Sequence, residues 1–132
     1  MILIAKRSSR QLLAPRQAAR ELGLRAEQQV ATEMSERGWS VLARNWRGGR
    51  GELDIVAEKE GALRFVEVKA RQKVEDGLYA VTFSKRMKLA SAAEAWIAQS
   101  RATFDEACFL LVVVVGNPPR GSTTWIDNPF DG

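Results

Sequence analysis

The sequence predicts a single α/β domain in which helices pack against a mixed β-sheet, with elements in the order α-β-β-β-α-β. Three observations lead to this prediction. Residues 16–37 repeat apolar side chains at helical spacing, residues 51–71 have the pattern of two strands joined by a turn, and residues 108–115 are continuously apolar. Helices that alternate with such strands bury their apolar stripes on a sheet.

The first helix is predicted over residues 16–37. Its apolar stripe falls at steps of four: Leu22, Ala26, Val30 and Met34. Pro15 suits a first helical turn and Gly38 ends the pattern. Glu27 lies one residue beyond Ala26, about 100° around the helix, at the border of the stripe. A glutamate at this border is either solvated or directed at a functional site.

Residues 39–47 are predicted to form the first strand. Alternation places Trp39, Val41, Ala43 and Asn45 on one face and Leu42, Arg44 and Trp46 on the other. Residues 47–51 then form a glycine-rich, basic turn. Trp46, with arginines around it, either stacks on a nucleic-acid base or covers the edge of the sheet.

Residues 51–71 are predicted to form a hairpin with a turn at Glu60-Gly61. On its first strand, Glu52, Asp54 and Val56 share one face and Leu53, Ile55 and Ala57 the other; on its second, Phe65, Glu67, Lys69 and Arg71 share a face. A two-residue turn pairs Lys59 with Ala62, which places Asp54 opposite Glu67 and Glu52 opposite Lys69. Facing carboxylates repel unless a positive charge lies between them, and a divalent cation would meet that need. A cross-strand ladder of surface ion pairs is the alternative interpretation.

The second half of the chain predicts a loop, a helix and a central strand. Residues 72–83 are polar and indicate a loop, after which Ser84 is a candidate cap for a helix over residues 85–100. Residues 108–115 have the pattern of a strand covered on both faces, and residues 123–126 indicate a short last strand.

The charge of the chain is unevenly distributed. Its 132 residues hold 20 Lys and Arg against 16 Asp and Glu, a net charge of +4. The first 25 residues account for +5, with six basic residues against Glu21 alone. We therefore divide the chain into a basic arm, residues 1–15, and one domain, residues 16–132. The arm either binds a polyanion or is simply solvated.

Absent residue types exclude several function classes. The chain has no histidine, which removes serine and cysteine relays, histidine-bearing zinc sites and imidazole-dependent nucleases. Its single cysteine, Cys108, cannot form an internal disulfide, so we expect a reducing cytoplasm. The longest apolar run, residues 109–115, is far shorter than the roughly 20 residues that cross a bilayer, so no membrane partner is expected.

Asp54 followed by Glu67-Val68-Lys69 resembles the P-D…(D/E)-x-K signature of the restriction-endonuclease-like fold. Further segments extend the likeness, in order: Leu24-Arg25-Ala26-Glu27, Arg44-Asn45, Gly51-Glu52-Leu53-Asp54, Phe65 to Arg71, Lys85 with Leu89, Phe104-Asp105 and Asn128 to Phe130. Together they are similar to the YraN-like family of small bacterial proteins, which is assigned to this nuclease fold. Leu53 replaces the usual proline of the signature, and Ala26 replaces the usual glycine.

The resemblance implies a three-layer nuclease core and a metal-dependent endonuclease acting on DNA, including branched or structured DNA. Asp54, Glu67, the carbonyl of Val68 and Glu27 would hold Mg²⁺ or Mn²⁺, which prefer oxygen ligands. Glu27, Asp54, Glu67 and Lys69 would be the catalytic residues, with Lys69 orienting the attacking water.

The nucleic-acid-binding candidates are basic or aromatic residues near this centre: Arg25, Arg44, Trp46, Arg47, Arg50, Arg71, Lys85 and Lys88. DNA is the expected partner ahead of RNA, and a homodimer would supply the two sites that cleavage of two strands needs. Two other functions stay open at this point. One is a nucleic-acid-binding module of nuclease fold without turnover, and the other is a protein-interaction domain.

Overall fold

The computed structural model describes residues 14–130, which form three helices and five strands. The elements are α1 (Pro15–Glu36), β1 (Ser40–Gly48), β2 (Gly51–Lys59), β3 (Ala62–Arg71), α2 (Val74–Tyr79), α3 (Phe83–Ser100), β4 (Glu106–Val115) and β5 (Ser122–Asp127). Residues 1–13 of the predicted arm lie outside the described residues. Its last two residues belong to α1, because Ala14 is the N-cap and Pro15 begins the helix. The division at residue 15 stays a prediction.

The strands form one mixed sheet in the order β1-β2-β3-β4-β5. β3 and β4 run parallel, and every other neighbouring pair is antiparallel. The parallel pair needs a crossover, which α2 and α3 supply. The predicted mixed sheet flanked by helices is confirmed, and the architecture is consistent with the nuclease-like core that the resemblance implies.

Two apolar clusters cover the two faces of the sheet and make a three-layer structure. Ala26, Val30 and Met34 of α1 are fully buried against one face. Leu89, Ala92 and Trp96 of α3 are buried against the other. β4 contributes alternate residues to both clusters, as predicted for a strand covered on both sides: Leu110, Val112 and Val114 to the α1 side, and Leu111 and Val113 to the α3 side.

The hairpin turn lies where the sequence predicts it. Lys59 pairs with Ala62, and Glu60 and Gly61 both have positive φ, 50° and 84°, the combination of a tight hairpin turn. The pairs between β2 and β3 run outward as far as Ile55 with Val66. The predicted facing of Asp54 and Glu67 falls at the next position, where the strands part.

The predicted side-chain faces are wrong for part of β1 and for the start of β2, where the backbone is irregular. Leu53 packs on the α3 side although Ile55 and Ala57 pack on the α1 side. In β1, Ala43 and Trp46 are both on the α3 side, whereas they were assigned to opposite faces. The cause is local backbone geometry: β1 has a register shift between Val41 and Ala43, and Asn45 adopts a left-handed conformation with φ 48°. Either change interrupts the simple alternation of a strand.

Two predictions for the segment before α3 are also wrong. Residues 72–83, expected as a loop, contain the short helix α2. Thr82 rather than Ser84 caps α3, because its side-chain oxygen accepts a hydrogen bond from the backbone N–H of Lys85, and the helix begins at Phe83. None of the helices in residues 14–130 is both long enough and apolar enough to cross a membrane.

Candidate active site

A polar cleft of about 730 Å³ lies beside the point where β2 and β3 part. Helix α1 forms one wall, and the ends of the first three strands form the other. The cleft is lined by Ala19, Arg20, Leu22, Gly23, Leu24, Glu27, Asn45, Arg47, Glu52, Asp54, Glu67, Val68, Lys69, Ala70 and Arg71. All four predicted catalytic residues are therefore brought to one place, as is Val68.

Asp54 is held across the gap between the two strands. Its Oδ2 accepts a hydrogen bond from the backbone N–H of Val68 at 2.9 Å. Burial, followed by the negative charge of Glu67, raises the pKa of Asp54 from 3.8 to about 8, against the lowering effects of the Val68 hydrogen bond and Lys69. The carboxyl thus sits in an environment with too little positive charge for its ionised form.

Glu67 and Lys69 form an ion pair in the same cleft. Lys69 Nζ lies 2.8 Å from Glu67 Oε1, and the two side chains are only 17% and 14% exposed. Both side chains stand on the face of β3 that Phe65 also occupies, which is the alternation predicted for this strand. The lysine is therefore fixed close to the carboxylates rather than free in solvent.

Glu27 projects from α1 toward the strands. Within residues 14–130, Glu27 Oε1 is the one buried side-chain nitrogen or oxygen that has no hydrogen-bond partner. Burial raises the pKa of Glu27, and the charges of Glu52 and Glu67 act in the same direction, while Arg44 and a hydrogen bond from Asn45 oppose them. An orphaned buried oxygen of this kind is costly unless a ligand or cation satisfies it.

Three arginines surround these carboxylates. Arg20 comes from α1, Arg47 from the end of β1 and Arg71 from the end of β3. Arg47 lies 3.5 Å from Glu52, and both Arg20 and Arg71 are exposed. Guanidinium groups in this position can bind the phosphates of a polyanion that enters the cleft.

A second, smaller cavity of about 180 Å³ adjoins the cleft on the α3 side of the sheet. It shares Glu52, Glu67 and Lys69 with the cleft, and Lys85 and Lys88 line its other wall. No Cβ would fit between Gly51 and the backbone carbonyl of Lys88, so β2 begins in direct contact with α3. This close approach brings both lysines beside the carboxylate centre.

The remaining predicted nucleic-acid contacts lie outside the cleft lining. Arg25 donates hydrogen bonds to Asn117 and to the carbonyl of Pro118, and Arg44 donates to Gln28 at 2.8 Å. Arg50 lies in the turn, where its backbone N–H donates to Ser91. Trp46 packs against the apolar cluster on the α3 side. For Trp46, this position matches the interpretation as an edge cover.

The carboxylates have the right chemistry for a hard cation but do not surround one point. Within residues 14–130, no three Asp, Glu, His or Cys side chains are gathered at the spacing of a formed metal site. Glu67 is engaged with Lys69, and Asp54 with the Val68 N–H. These side chains would have to rearrange to bring their oxygens to one ion.

Comparison with known proteins identifies the chain at the level of family. Residues 26–114 match the family described as "Uncharacterised protein family UPF0102". The chain belongs to this family. It is 45% identical over 80 residues to a UPF0102 protein of Rhodopseudomonas palustris strain BisA53, covering 61% of this chain and 62% of the relative. It is 44% identical over 82 residues to a UPF0102 protein of Nitrobacter winogradskyi, covering 62% and 70% of the two chains.

A third UPF0102 protein, from Bradyrhizobium sp. strain ORS 278, is 42% identical over 82 residues, which cover 62% of this chain and 58% of the relative. The alignments thus span less than two thirds of some of these UPF0102 relatives. The part of this chain that matches the family includes Glu27, Asp54, Glu67 and Lys69. Family membership, as the resemblance predicted, is confirmed.

Three polar residues of the cleft were missed by sequence reasoning as site candidates. Arg20 was counted only in the basic lead of the chain, although helical spacing places it two turns before Glu27 on the same side of α1. Asn45 was placed only on a strand and in the family likeness, and Glu52 only opposite Lys69 in the hairpin and in the same likeness. The position of Asn45 depends on its left-handed backbone, for which an asparagine inside a strand pattern is the available signal.

Proposed function

We propose that this protein is a metal-dependent phosphodiester hydrolase, an endonuclease acting on DNA. The observation that carries the proposal is the composition of one cleft, which is lined by four carboxylates, a lysine and three arginines. Carboxylates attract a divalent cation, and arginines attract phosphates. A cleft that combines them suits the hydrolysis of a polyanion.

The donor set fits Mg²⁺ or Mn²⁺. Asp54, Glu67, Glu27 and the carbonyl of Val68 offer only hard oxygen ligands, the type these ions prefer. The orphaned Oε1 of Glu27 and the raised pKa of Asp54 both mark a place where a cation would relieve excess negative charge. A bound cation would polarise the phosphate and lower the pKa of water.

The protein's own groups have separate tasks in this proposal. Lys69, fixed 2.8 Å from Glu67, orients the attacking water and offsets negative charge at the phosphate. Arg20, Arg47 and Arg71 bind flanking phosphates and hold the backbone of the strand in the cleft. Glu27 and Asp54 are the ligands most in need of a counter-charge, since the pKa of each is raised by burial.

The finer features belong to the same proposal. DNA, including branched or structured DNA, is the substrate we favour ahead of RNA, in the cytoplasm. Cleavage of both strands of a duplex by one complex requires two such sites, and a homodimer would supply them. Light scattering of the purified protein, with and without DNA, measures whether a pair of chains forms.

The test is a cleavage assay with a panel of substrates in Mn²⁺ and in Mg²⁺. Duplex, single-stranded, flap and four-way DNA are incubated with wild type, Glu67→Ala and Lys69→Ala. We expect cleavage by wild type and a loss of at least 100-fold in both variants, the scale of a removed catalytic group. Glu94→Gln, an exposed acid on α3, is the matched control and should cleave like wild type. Absence of cleavage across the whole panel contradicts the proposal.

A second function is favoured by one specific observation. The carboxylates do not already surround a single point within residues 14–130, and Glu67 is paired with Lys69. A nucleic-acid-binding module without turnover would have such an arrangement. Calorimetric titration discriminates between the two: salt-sensitive DNA binding without any binding of Mn²⁺ supports the module. A protein that binds no nucleic acid at low salt would instead be a protein-interaction domain.

A further inference from the structure

Exposed apolar side chains are concentrated at one corner of the molecule. Of the large apolar residues that residues 14–130 expose, four lie within ten residues of chain: Leu78, Tyr79, Phe83 and Met87. Tyr79 is 81% exposed and Phe83 is 75% exposed. We call residues 78–88, from the end of α2 to the second turn of α3, the α2–α3 corner. Clustered exposure of this kind is typical of an interaction surface.

The apolar groups of the corner lie close together along the chain. Phe83 and Met87 are four residues apart on α3 and therefore neighbours on one helical face. Tyr79 ends α2, only four residues before Phe83, so the Cα atoms of the two residues are at most about 14 Å apart. Neither ring contributes to the apolar clusters that cover the sheet. Two aromatic rings held in water do not stabilise the fold by packing.

The charge of the corner selects the kind of partner. Between Gly77 and Ala93 the chain carries three basic residues, Lys85, Arg86 and Lys88, and no acidic residue. Arg86 lies over the ring of Phe130, 5.0 Å from its centroid. Lys85 and Lys88 line the second cavity, and Glu67 and Lys69 line both this cavity and the cleft. A helix end that carries both aromatic rings and cations matches the bases and phosphates of a nucleic acid.

The corner and the second cavity beside the candidate active site share the first two turns of α3. A chain of phosphates that leaves the cleft past Lys69 would meet Lys88 and Lys85 in the second cavity. Phe83 lies two residues before Lys85, on another side of the same helix end. Bases in an intact duplex have their faces covered by neighbouring base pairs. Only unpaired bases can stack on Tyr79 and Phe83.

We infer that the α2–α3 corner is a stacking platform for unpaired bases, and that the substrate carries a single-stranded segment beside the cleaved bond. The placement of that bond rests on the proposed function. The binding itself does not, because it needs neither the carboxylates nor a metal. Single-stranded DNA, single-stranded RNA and the unpaired arms of a branched molecule share this chemistry.

The experiment measures binding of labelled oligonucleotides by fluorescence anisotropy, in EDTA so that no cleavage occurs. The ligands are a single strand of DNA, its RNA equivalent, the blunt duplex of the same sequence and an abasic single strand. We expect both single strands to bind at least fivefold more tightly than the duplex and the abasic strand, the lower end of what one stacked base contributes.

Matched variants separate stacking from general apolar contact. Phe83→Leu and Tyr79→Leu keep an apolar side chain but lose the aromatic face, and each should weaken single-strand binding by at least fivefold. Phe83→Trp and Tyr79→Phe keep the face and should bind within about twofold of wild type. Leu42→Ala removes an exposed apolar group from β1 and should change nothing.

Three results would overturn the inference. Equal binding by Phe83→Leu, Tyr79→Leu and wild type would show that the rings do not touch bases. Equal affinity for the abasic strand would show that phosphates alone are bound. A wild-type dimer in light scattering that becomes a monomer in the Tyr79→Leu, Phe83→Leu double variant would assign the corner to a second copy of the chain. Ring-dependent binding of single strands without any Mn²⁺-dependent cleavage supports this inference and contradicts the nuclease proposal.

Discussion

The Asp54 carboxylate accepts a hydrogen bond at 2.9 Å from the backbone N–H of Val68, just beyond the last pair between β2 and β3. At the point where the two strands part, a side-chain hydrogen bond thus takes the place of a backbone hydrogen bond between them. The backbone N–H of β3 is satisfied, and the carboxyl is fixed in the gap. This single bond joins the local structure of the hairpin to the position of the candidate active site.

Replacing Asp54 by asparagine should stabilise the protein that has no metal. Asparagine can keep the hydrogen bond from Val68, and it removes the cost of either ionising or protonating a buried carboxyl beside Glu67. We expect the free energy of unfolding in EDTA to rise by about 0.5–2 kcal/mol, as for other substitutions that relieve functional strain. Denaturant unfolding measures it. Added Mn²⁺ should raise the melting temperature of wild type and leave that of Asp54→Asn unchanged; equal shifts would contradict the assignment of Asp54 as a ligand.

The stability of the metal-free protein should depend on pH through Asp54. Its pKa is raised to about 8, mainly by burial, from 3.8 in the unfolded chain. Between these values the folded state holds a proton that the unfolded state has released, so this group's contribution to the unfolding free energy falls as the pH rises from about 4 to about 8. Above pH 8 it changes no further.

The measurement compares wild type with Asp54→Asn by denaturant unfolding across that range in EDTA. The stability advantage of the variant should widen as the pH rises from about 5 to about 8 and then level off. Titrating groups distant from Asp54 cancel in the difference. A constant difference across the range would mean that Asp54 titrates near its ordinary pKa.

Asn45 should tolerate glycine better than alanine. Its φ of 48° is a left-handed conformation, which costs an ordinary residue about 1–2 kcal/mol but costs glycine little. We expect Asn45→Ala to lower the unfolding free energy by about that amount and Asn45→Gly by less. Both variants lose the side-chain hydrogen bond that lowers the pKa of Glu27, so that pKa should rise in each. NMR titration of the Glu27 carboxyl carbon measures the second effect, and an unchanged pKa would exclude the contact.

Gln29 should be a structural support for α1. Its side-chain amide donates to the carbonyl of Gly121 at 2.7 Å and its oxygen accepts from the Gly121 N–H at 3.1 Å, in a buried position. Gln29→Ala leaves both groups of Gly121 without these partners, so we expect a loss of about 1–3 kcal/mol in unfolding free energy. Gln99→Ala, on the exposed side of α3, is the control and should stay within about 0.5 kcal/mol of wild type. Equal losses would remove any special role for Gln29.

The parts of the fold that the sequence predicts well are those set by local pattern. The stripe on α1, the turn at Glu60-Gly61 and the buried strand β4 all follow from side-chain periodicity or turn chemistry. The errors arise where the backbone departs from a regular period. The left-handed backbone at Asn45 interrupts the alternation of side chains in β1. Leu53 of the neighbouring strand β2 also lies on the face opposite to the one predicted.

The residues of the candidate site also differ in how far local sequence pattern predicts them. The hairpin alone predicts that Asp54 and Glu67 come close together, because register follows from the turn. Glu27 needed the family resemblance, since a border glutamate has no distinctive spacing. Arg20 and the α2–α3 corner depend on how helices pack on the sheet, and no local pattern reports that.

The parting of β2 from β3 has a cost as well as a use. Residues 67–71 pair with β4 on one side, while β2 pairs with β3 only as far as Val66, which leaves backbone groups facing the cleft. An uncovered strand edge is a template for pairing with another chain and hence for aggregation. Here Lys69 and Arg71 place charges along that edge, as protective residues commonly do. Substitutions that remove these charges to silence the site should therefore be checked for solubility before any loss of activity is assigned to chemistry.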